Sequence, residues 1–273
     1  MPKPRLAICN FIPDVERLRS TALEHGFSGV DWTFTLEDVP GGKGHKQSLI
    51  RRISRLHPLE VRYHCAFKGV DMGDEDPEKA DRAVDIFRET CRLVAHLEGR
   101  FMTVHLGLGR ESCDDLSWER TLSSLADLVA FGRNLGVRVC LENLASGWSS
   151  RPELFEKLVR KTNAGVTLDI GHARVSPSIQ SRHYAFEDFI SPHYEHVHNA
   201  HVYHEEIDGS HTAPQSLDEI GERLHLLSCL PCDWWVLELR EEEALFSTLQ
   251  VVREFFDAVP HERPAQYLGM LSS

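Results

Sequence analysis

No stretch of this 273-residue chain approaches the roughly 20 consecutive apolar residues that a bilayer crossing needs, so a helical membrane anchor is not expected. The basic start, Met1-Pro2-Lys3-Pro4-Arg5, is followed by only a few apolar residues before Pro13, so no secretory signal is expected and the reading is a cytoplasmic protein. Basic charge is also short. Thirty Lys and Arg face 42 Asp and Glu, a formal net charge of −12, which disfavours duplex DNA as a partner through long-range repulsion. No GxGxxG or GxxxxGK[ST] loop follows an early strand, which removes support for the nucleotide-binding forms of an open doubly wound sheet, the competing architecture. The seven cysteines are scattered and odd in number, which fits reduced thiols rather than a disulfide framework. Cys229-Leu-Pro-Cys232 is a lone CxxC with no second pair, and is read as buried thiols. Low-complexity segments, internal repeats and linkers are absent, and residues 1–273 are expected to form one domain.

What the chain does have is alternation. Short apolar runs at residues 5–11, 29–34, 61–66, 101–107, 137–144, 165–170, 197–203 and 234–240 are rich in Val, Ile, Phe, Trp and Thr, as buried strands are. Amphipathic stretches lie between them. Asp76-Pro77-Glu78 predicts a helix start, and Ala80, Val84, Phe87, Cys91 and Val94 follow at helical spacing. Pro152-Glu153 opens another helix, and residues 217–230 and 241–256 complete the set. Gly26, Gly99 and Gly136 stand where helices should stop. Eight βα units in succession predict parallel strands closed into an α/β (β/α)8 TIM barrel. Residues 40–44 read as a mobile loop, and residues 174–192 as a longer irregular one.

In such a barrel the site lies at the C-terminal ends of the strands. Six consecutive strands deliver a metal-competent residue there: His64, His105, Glu142, Asp169 with His172, His201, and Glu238. Carboxylates that close inside a barrel mouth repel one another, and a divalent cation is the simplest remedy. Glu142, Asp169, His201 and Glu238 form an oxygen-rich set suited to Mn, Mg or Co, and His64 and His105 shift the preference towards Zn or a second ion, so one to three ions are expected. Trp148, Trp32, Phe34 and Tyr203 are candidates for an apolar wall under a substrate ring. His57, His96, His183, His193, His196, His198 and His225 lack such a context and read as surface or loop residues.

The pieces Tyr63-His64-Cys65-Ala66-Phe67, Val104-His105-Leu106-Gly107, Leu141-Glu142-Asn143-Leu144, Leu168-Asp169-Ile170-Gly171-His172-Ala173, Ala200-His201-Val202 and Leu237-Glu238-Leu239, in this order, resemble the xylose-isomerase-like barrels. That superfamily holds sugar and sugar-phosphate isomerases and epimerases, and the endonuclease IV type of phosphoesterase. The leading expectation is an isomerase or epimerase on a small polyhydroxylated substrate. The resemblance then implies one ion held by Glu142, Asp169, His201 and Glu238, with Glu142 and Glu238 exchanging protons with a ketose and His172 placing a hydroxyl. Where such epimerases carry an Arg after the seventh strand, this chain has Glu205-Glu206-Ile207-Asp208. The alternative is a zinc phosphoesterase acting on a nucleotide-like phosphoester. The resemblance then implies a first ion on His64, His105 and Glu142, a second on Glu142, Asp169, His201 and Glu238, and a third on His172 with Asp208 and His211. A third reading is a barrel that binds a ligand without turnover. The partner is a small molecule in each case, no membrane is involved, and assembly with further copies of the chain is left open.

Overall fold

A computed structural model describes residues 3–39, 42–110 and 112–258. Its elements in chain order are β1 (Arg5–Cys9), α1 (Val15–Glu24), β2 (Gly29–Phe34), α2 (Lys43–Ser54), β3 (Glu60–Cys65), α3 (Pro77–His96), β4 (Phe101–Val104), α4 (Trp118–Asn134), β5 (Arg138–Glu142), α5 (Pro152–Thr162), β6 (Gly165–Asp169), α6 (Ile170–Val175), α7 (Pro177–Gln180), β7 (Val197–Val202), β8 (Glu206–Ile207), β9 (Ser210–His211), α8 (Leu217–Ser228), β10 (Trp234–Leu237) and α9 (Glu242–Ala258). Eight parallel strands close in the order β1-β10-β7-β6-β5-β4-β3-β2, while β8 and β9 form a separate antiparallel hairpin. This is the expected TIM barrel. No helix among the described residues is long and apolar enough to cross a membrane.

Register decides what the barrel interior contains. The pairings Cys9↔Asp31, Thr33↔His64, His64↔Thr103, Thr103↔Cys140, Glu142↔Thr167, Thr167↔Asn199 and Asp169↔His201 give these residues a common parity, so they share the inner face. The opposite parity carries Trp32, Phe34, Tyr63, Leu141, Leu168, Trp235 and Leu237, all buried in the core beneath the helices. Trp32 and Phe34 therefore belong to this packing and not to a wall at the mouth. Phe34 stacks on Tyr63, and Arg52 of α2 lies over Trp32.

The bottom of the barrel is plugged. Arg62 is buried between the rings of Phe101 and Trp234, its guanidinium carbon 4.1 and 4.4 Å from their centroids. It donates to Asn199 Oδ1 at 2.6 Å and to the His198 carbonyl at 2.8 Å. Asn199 continues to Thr167 at 3.1 Å, and Thr167 meets Thr103 at 2.7 Å. A satisfied polar layer thus fills the interior below the strand ends, where many barrels use branched apolar side chains.

Local signals explain most boundaries. Asp76 caps α3 by accepting from the Glu78 N–H, with Pro77 in the first turn. Gly26 and Gly136 take the left-handed conformation past α1 and α4. After α3 that role falls to Glu98 (φ 57°), and Gly99 serves a different need: a Cβ there would lie 2.4 Å from the Tyr63 ring. Several strands stop earlier than their apolar runs: β4 ends at Val104 and β10 at Leu237, which leaves His105 and Glu238 one residue past the sheet. Helix α2 begins at Lys43, so Lys43 and Gly44 of the expected glycine-rich loop are helix and Gly42 is its N-cap; Pro40 and Gly41 lie outside the described residues. Residues 174–192, expected to be irregular, form α7 and a series of short helical turns. His193 is buried against Phe155, a correction to its reading as a surface residue.

Candidate metal centre

The barrel strands and their ends, α6 and the β8–β9 hairpin form four groups whose ligand atoms lie within 4.8 Å of one another: His64, His105 and Glu142; Glu142, Asp169, His201 and Glu238; His172, Glu206 and His211; and Asp31, His64 and His201. Glu142 belongs to the first two. His64 Nε2 and His105 Nε2 stand 3.0 Å apart, with Glu142 Oε2 at 3.4 and 3.1 Å from them. His201 Nδ1 lies 3.3 Å from Glu142 Oε1, 3.7 Å from Asp169 Oδ2 and 2.9 Å from Glu238 Oε2.

Neighbours lock these side chains in place. Asn143 spans β5 and β6: its Nδ2 donates to the Asp169 carbonyl and its Oδ1 accepts the Asp169 N–H, both at 2.8 Å. Asp169 is the N-cap of α6, so this short helix starts at the metal-competent carboxylate itself. Buried Arg223 of α8 donates to the carbonyls of Ile170 and His204 and pins α6 to the chain leaving β7. In the third group, His172 Nδ1 meets the Asn143 carbonyl at 3.1 Å, and His211 Nδ1 meets the Glu238 carbonyl at 2.7 Å. Both rings therefore present Nε2 to Glu206 Oε2, at 3.0 and 3.7 Å. Tyr203 is fully buried, stacks on His211 with centroids 3.8 Å apart, and lies close against Gly171.

The acidic member of the third group is Glu206, a correction to Asp208. Asp208 and Gly209 are the central residues of the β8–β9 turn, both with positive φ (50° and 74°), which leaves Asp208 exposed at the tip. Register then pairs Glu206 directly with His211 across the hairpin. Asp-Gly between two short runs was a readable hairpin signal. Asp31 was also missed. It is buried on β2, with Oδ2 3.5 Å from His64 Nδ1 and 3.9 Å from His201 Nε2. Its signal was a carboxylate in the middle of an otherwise apolar strand.

Burial opposes ionisation throughout the cluster. In His105 burial wins and the pKa falls. In His64, His172, His201 and His211 the adjacent carboxylates overcome burial and the pKa rises. Burial would likewise raise the pKa of Glu142 and Glu238, but the surrounding histidines, His201 foremost, hold both well below the ordinary value. Hydrogen bonds from His172 and His211 do the same for Glu206.

Whether these residues fit a metal is tested by their unused atoms. Glu142 Oε2, Asp169 Oδ2, Glu238 Oε2 and both ring nitrogens of His201 are buried without a hydrogen-bond partner. Each such atom is costly unless something satisfies it. Each belongs to a group whose ligand atoms lie within 4.8 Å of one another. The donor set of carboxylate oxygens and imidazole nitrogens suits divalent ions, and the mixture with histidine suits zinc.

The chain belongs to the xylose isomerase-like TIM barrel family, whose sequence model matches residues 20–254. An uncharacterized protein from Methanocaldococcus jannaschii is 25% identical over 166 residues, which cover 60% of this chain and 71% of that protein. A solved D-tagatose 3-epimerase-like protein superposes with a TM-score of 0.70 at 16% identity, covering 93% of this chain and 97% of that one. Endonuclease IV from Thermus thermophilus superposes at 0.63 with 19% identity, covering 94% of this chain and all of that one. At these identities the two structural likenesses establish the fold.

Proposed function

We propose that this protein is a multinuclear, zinc-dependent phosphoesterase acting on a small nucleotide-like phosphoester. The observation that carries the reading is the third group: His172, Glu206 and His211 converge beside the two groups that share Glu142. A ketose epimerase needs one ion and has no use for the other two groups.

Charge supports the same choice. Asp31, Glu142, Asp169, Glu238 and Glu206 place five carboxylates in or beside the mouth. With neutral histidines, one divalent ion leaves about three negative charges, which repel a phosphate, whereas three ions leave about one positive charge, which attracts it. When bound, such ions polarise a phosphoryl oxygen and lower the pKa of a water nucleophile. The chain's own residues supply the rest. Burial holds the Tyr203 hydroxyl far above its ordinary pKa, so it keeps its proton and stays a buried donor packed against His211 of the third group. Trp148, half-buried on the loop after β5 and edge-on to Trp118 at 5.1 Å, offers an aromatic face for a base or sugar. Arg110 pairs with both Asp71 and Asp74, and Asp71 also accepts from the Gly107 N–H at 2.6 Å, so the loops after β3 and β4 form a fixed rim. The net charge of −12 favours a small substrate over a duplex.

The test is elemental analysis of the purified chain, followed by a screen of the zinc-loaded protein against phosphomonoesters, phosphodiesters and ketoses. Two or three zinc ions per chain and phosphoester cleavage are expected. One ion per chain with ketose epimerisation and no cleavage would overturn the reading.

A further inference from the structure

The outer nitrogens of the ligand histidines are not treated alike. His172 and His211 each turn Nδ1 to a backbone carbonyl, at 3.1 and 2.7 Å, which fixes Nε2 as the metal-facing atom. His64 and His201 have no carbonyl in that role. His64 faces its group through Nε2, 3.0 Å from His105 Nε2 and 3.4 Å from Glu142 Oε2, so its outer nitrogen is Nδ1. His201 faces its group through Nδ1, 2.9 Å from Glu238 Oε2, so its outer nitrogen is Nε2. These two outer nitrogens lie 3.5 and 3.9 Å from one atom, Asp31 Oδ2, with the two ring centroids 5.0 Å apart; Glu238 Oε1 stands farther from His64 Nδ1, at 3.8 Å. Asp31 itself is 1% exposed, and its other oxygen, Oδ1, is buried with no hydrogen-bond partner. A buried carboxylate with a spare oxygen is retained at a cost, and here it lies beside two rings that each need an acceptor for the outer nitrogen.

We infer that Asp31 is a shared positioning residue: one carboxylate that accepts the outer N–H of His64 and of His201, sets opposite tautomers in the two rings, and so ties the first two metal groups together. The two distances are long for hydrogen bonds and call for a small closure of the rings onto Oδ2. Register allows it, because Asp31 lies on the inward face of β2, one strand from His64 on β3 and across the barrel from His201 on β7. The inference rests on the mouth binding metal and is indifferent to whether the substrate is a phosphoester.

Two experiments test it. Zinc affinity is measured by chelator competition for the wild-type chain, Asp31→Asn and Asp31→Leu. Asn keeps the shape and one acceptor, and is expected to weaken two ions by about 10-fold; Leu removes the acceptor, and the loss should reach about 100-fold, the range seen when the group behind a ligand histidine is removed. A merely structural residue would change the melting temperature of the metal-free chain and leave zinc affinity alone. The second experiment needs no variant: ring-nitrogen NMR of the zinc-loaded wild type should show a protected Nδ1–H on His64 and a protected Nε2–H on His201. Unchanged affinity in both variants, loss of one whole zinc equivalent with the others bound as before, or the reverse tautomers would each overturn the assignment. A wild-type chain that binds no zinc would overturn it together with the proposed function, whereas zinc binding without phosphoester cleavage would leave it standing.

Discussion

Asp169 divides its carboxylate between two tasks, with Oδ1 accepting the backbone N–H of His172 at 2.7 Å while Oδ2 faces the cluster without a hydrogen-bond partner. One side chain thus starts α6 and faces the second metal group, and the helix it starts carries His172 into the third. The centre is built by local rules at strand ends, and its consequences can be measured.

The identity of the acidic residue in the third group is the sharpest of these. Glu206→Gln should remove one zinc per chain, while Asp208→Asn at the hairpin tip should leave the metal content unchanged. Elemental analysis of the two variants side by side decides it. The opposite pattern would return the role to Asp208.

Metal uptake should release protons. His64, His172, His201 and His211 have pKa values raised above the usual 6.5, with burial opposing and carboxylates prevailing. In the metal-free chain each therefore keeps its proton to higher pH than a free imidazole does, and coordination requires it neutral. Zinc affinity should therefore fall as pH drops through 7 towards 6, with proton release visible in weakly buffered calorimetry. The sign reverses for the metal-free fold. The stability these four residues contribute is full below 6.5 and lost as pH rises through their higher folded values. A metal-free chain whose melting temperature gains from pH 6.5 to 9 would contradict this.

His193 should work against the fold in acid. Burial lowers its pKa from 6.5 to about 4, so the unfolded chain binds a proton that the folded chain refuses. Stability is lost as pH falls from 6.5 towards 4, by up to about 3 kcal/mol. His193→Phe, which keeps a ring against Phe155, should flatten that acid limb. Melting curves with chelator present at pH 7 and pH 5 give the difference, and an equal acid loss in both proteins would rule out His193 as its source.

Gly171→Ala tests the packing under the third group. A Cβ at 171 would lie 2.1 Å from Tyr203 Cε2, and the ring is stacked on His211 with centroids 3.8 Å apart. Overpacking of this kind costs about 1–3 kcal/mol, or several degrees in melting temperature. Zinc content should drop with it, because moving Tyr203 displaces His211. A variant with unchanged melting and unchanged zinc would mean that the ring has room to yield.

The legible part of this structure was the part written in periodicity and in residue types that are rarely buried without cause. The strand runs, the Asp76-Pro77 cap and the inward residues His64, His105, Glu142, Asp169, His201 and Glu238 could all be read along the chain and are found together. Glu206 was missed because its place depends on a turn: with Asp208 and Gly209 both at positive φ, register pairs residue 206, not 208, with His211. Asp31 was missed because it lies mid-strand and not at a strand end, so only the stagger of the closed sheet shows what it faces. His193 looked like a loop residue because nothing in its neighbours predicts that residues 189 and 190 fold beneath it into the core. Asn143 stood inside a recognised motif, yet its bridge to β6 is a contact between strands that sequence spacing does not express.

The Arg62 plug gives the barrel two unlike ends. Phe101 and Trp234 grip the guanidinium and Asn199 accepts from it, so packed side chains occupy the interior at that level. Chemistry is thereby confined to the opposite storey, where the carboxylates and imidazoles gather.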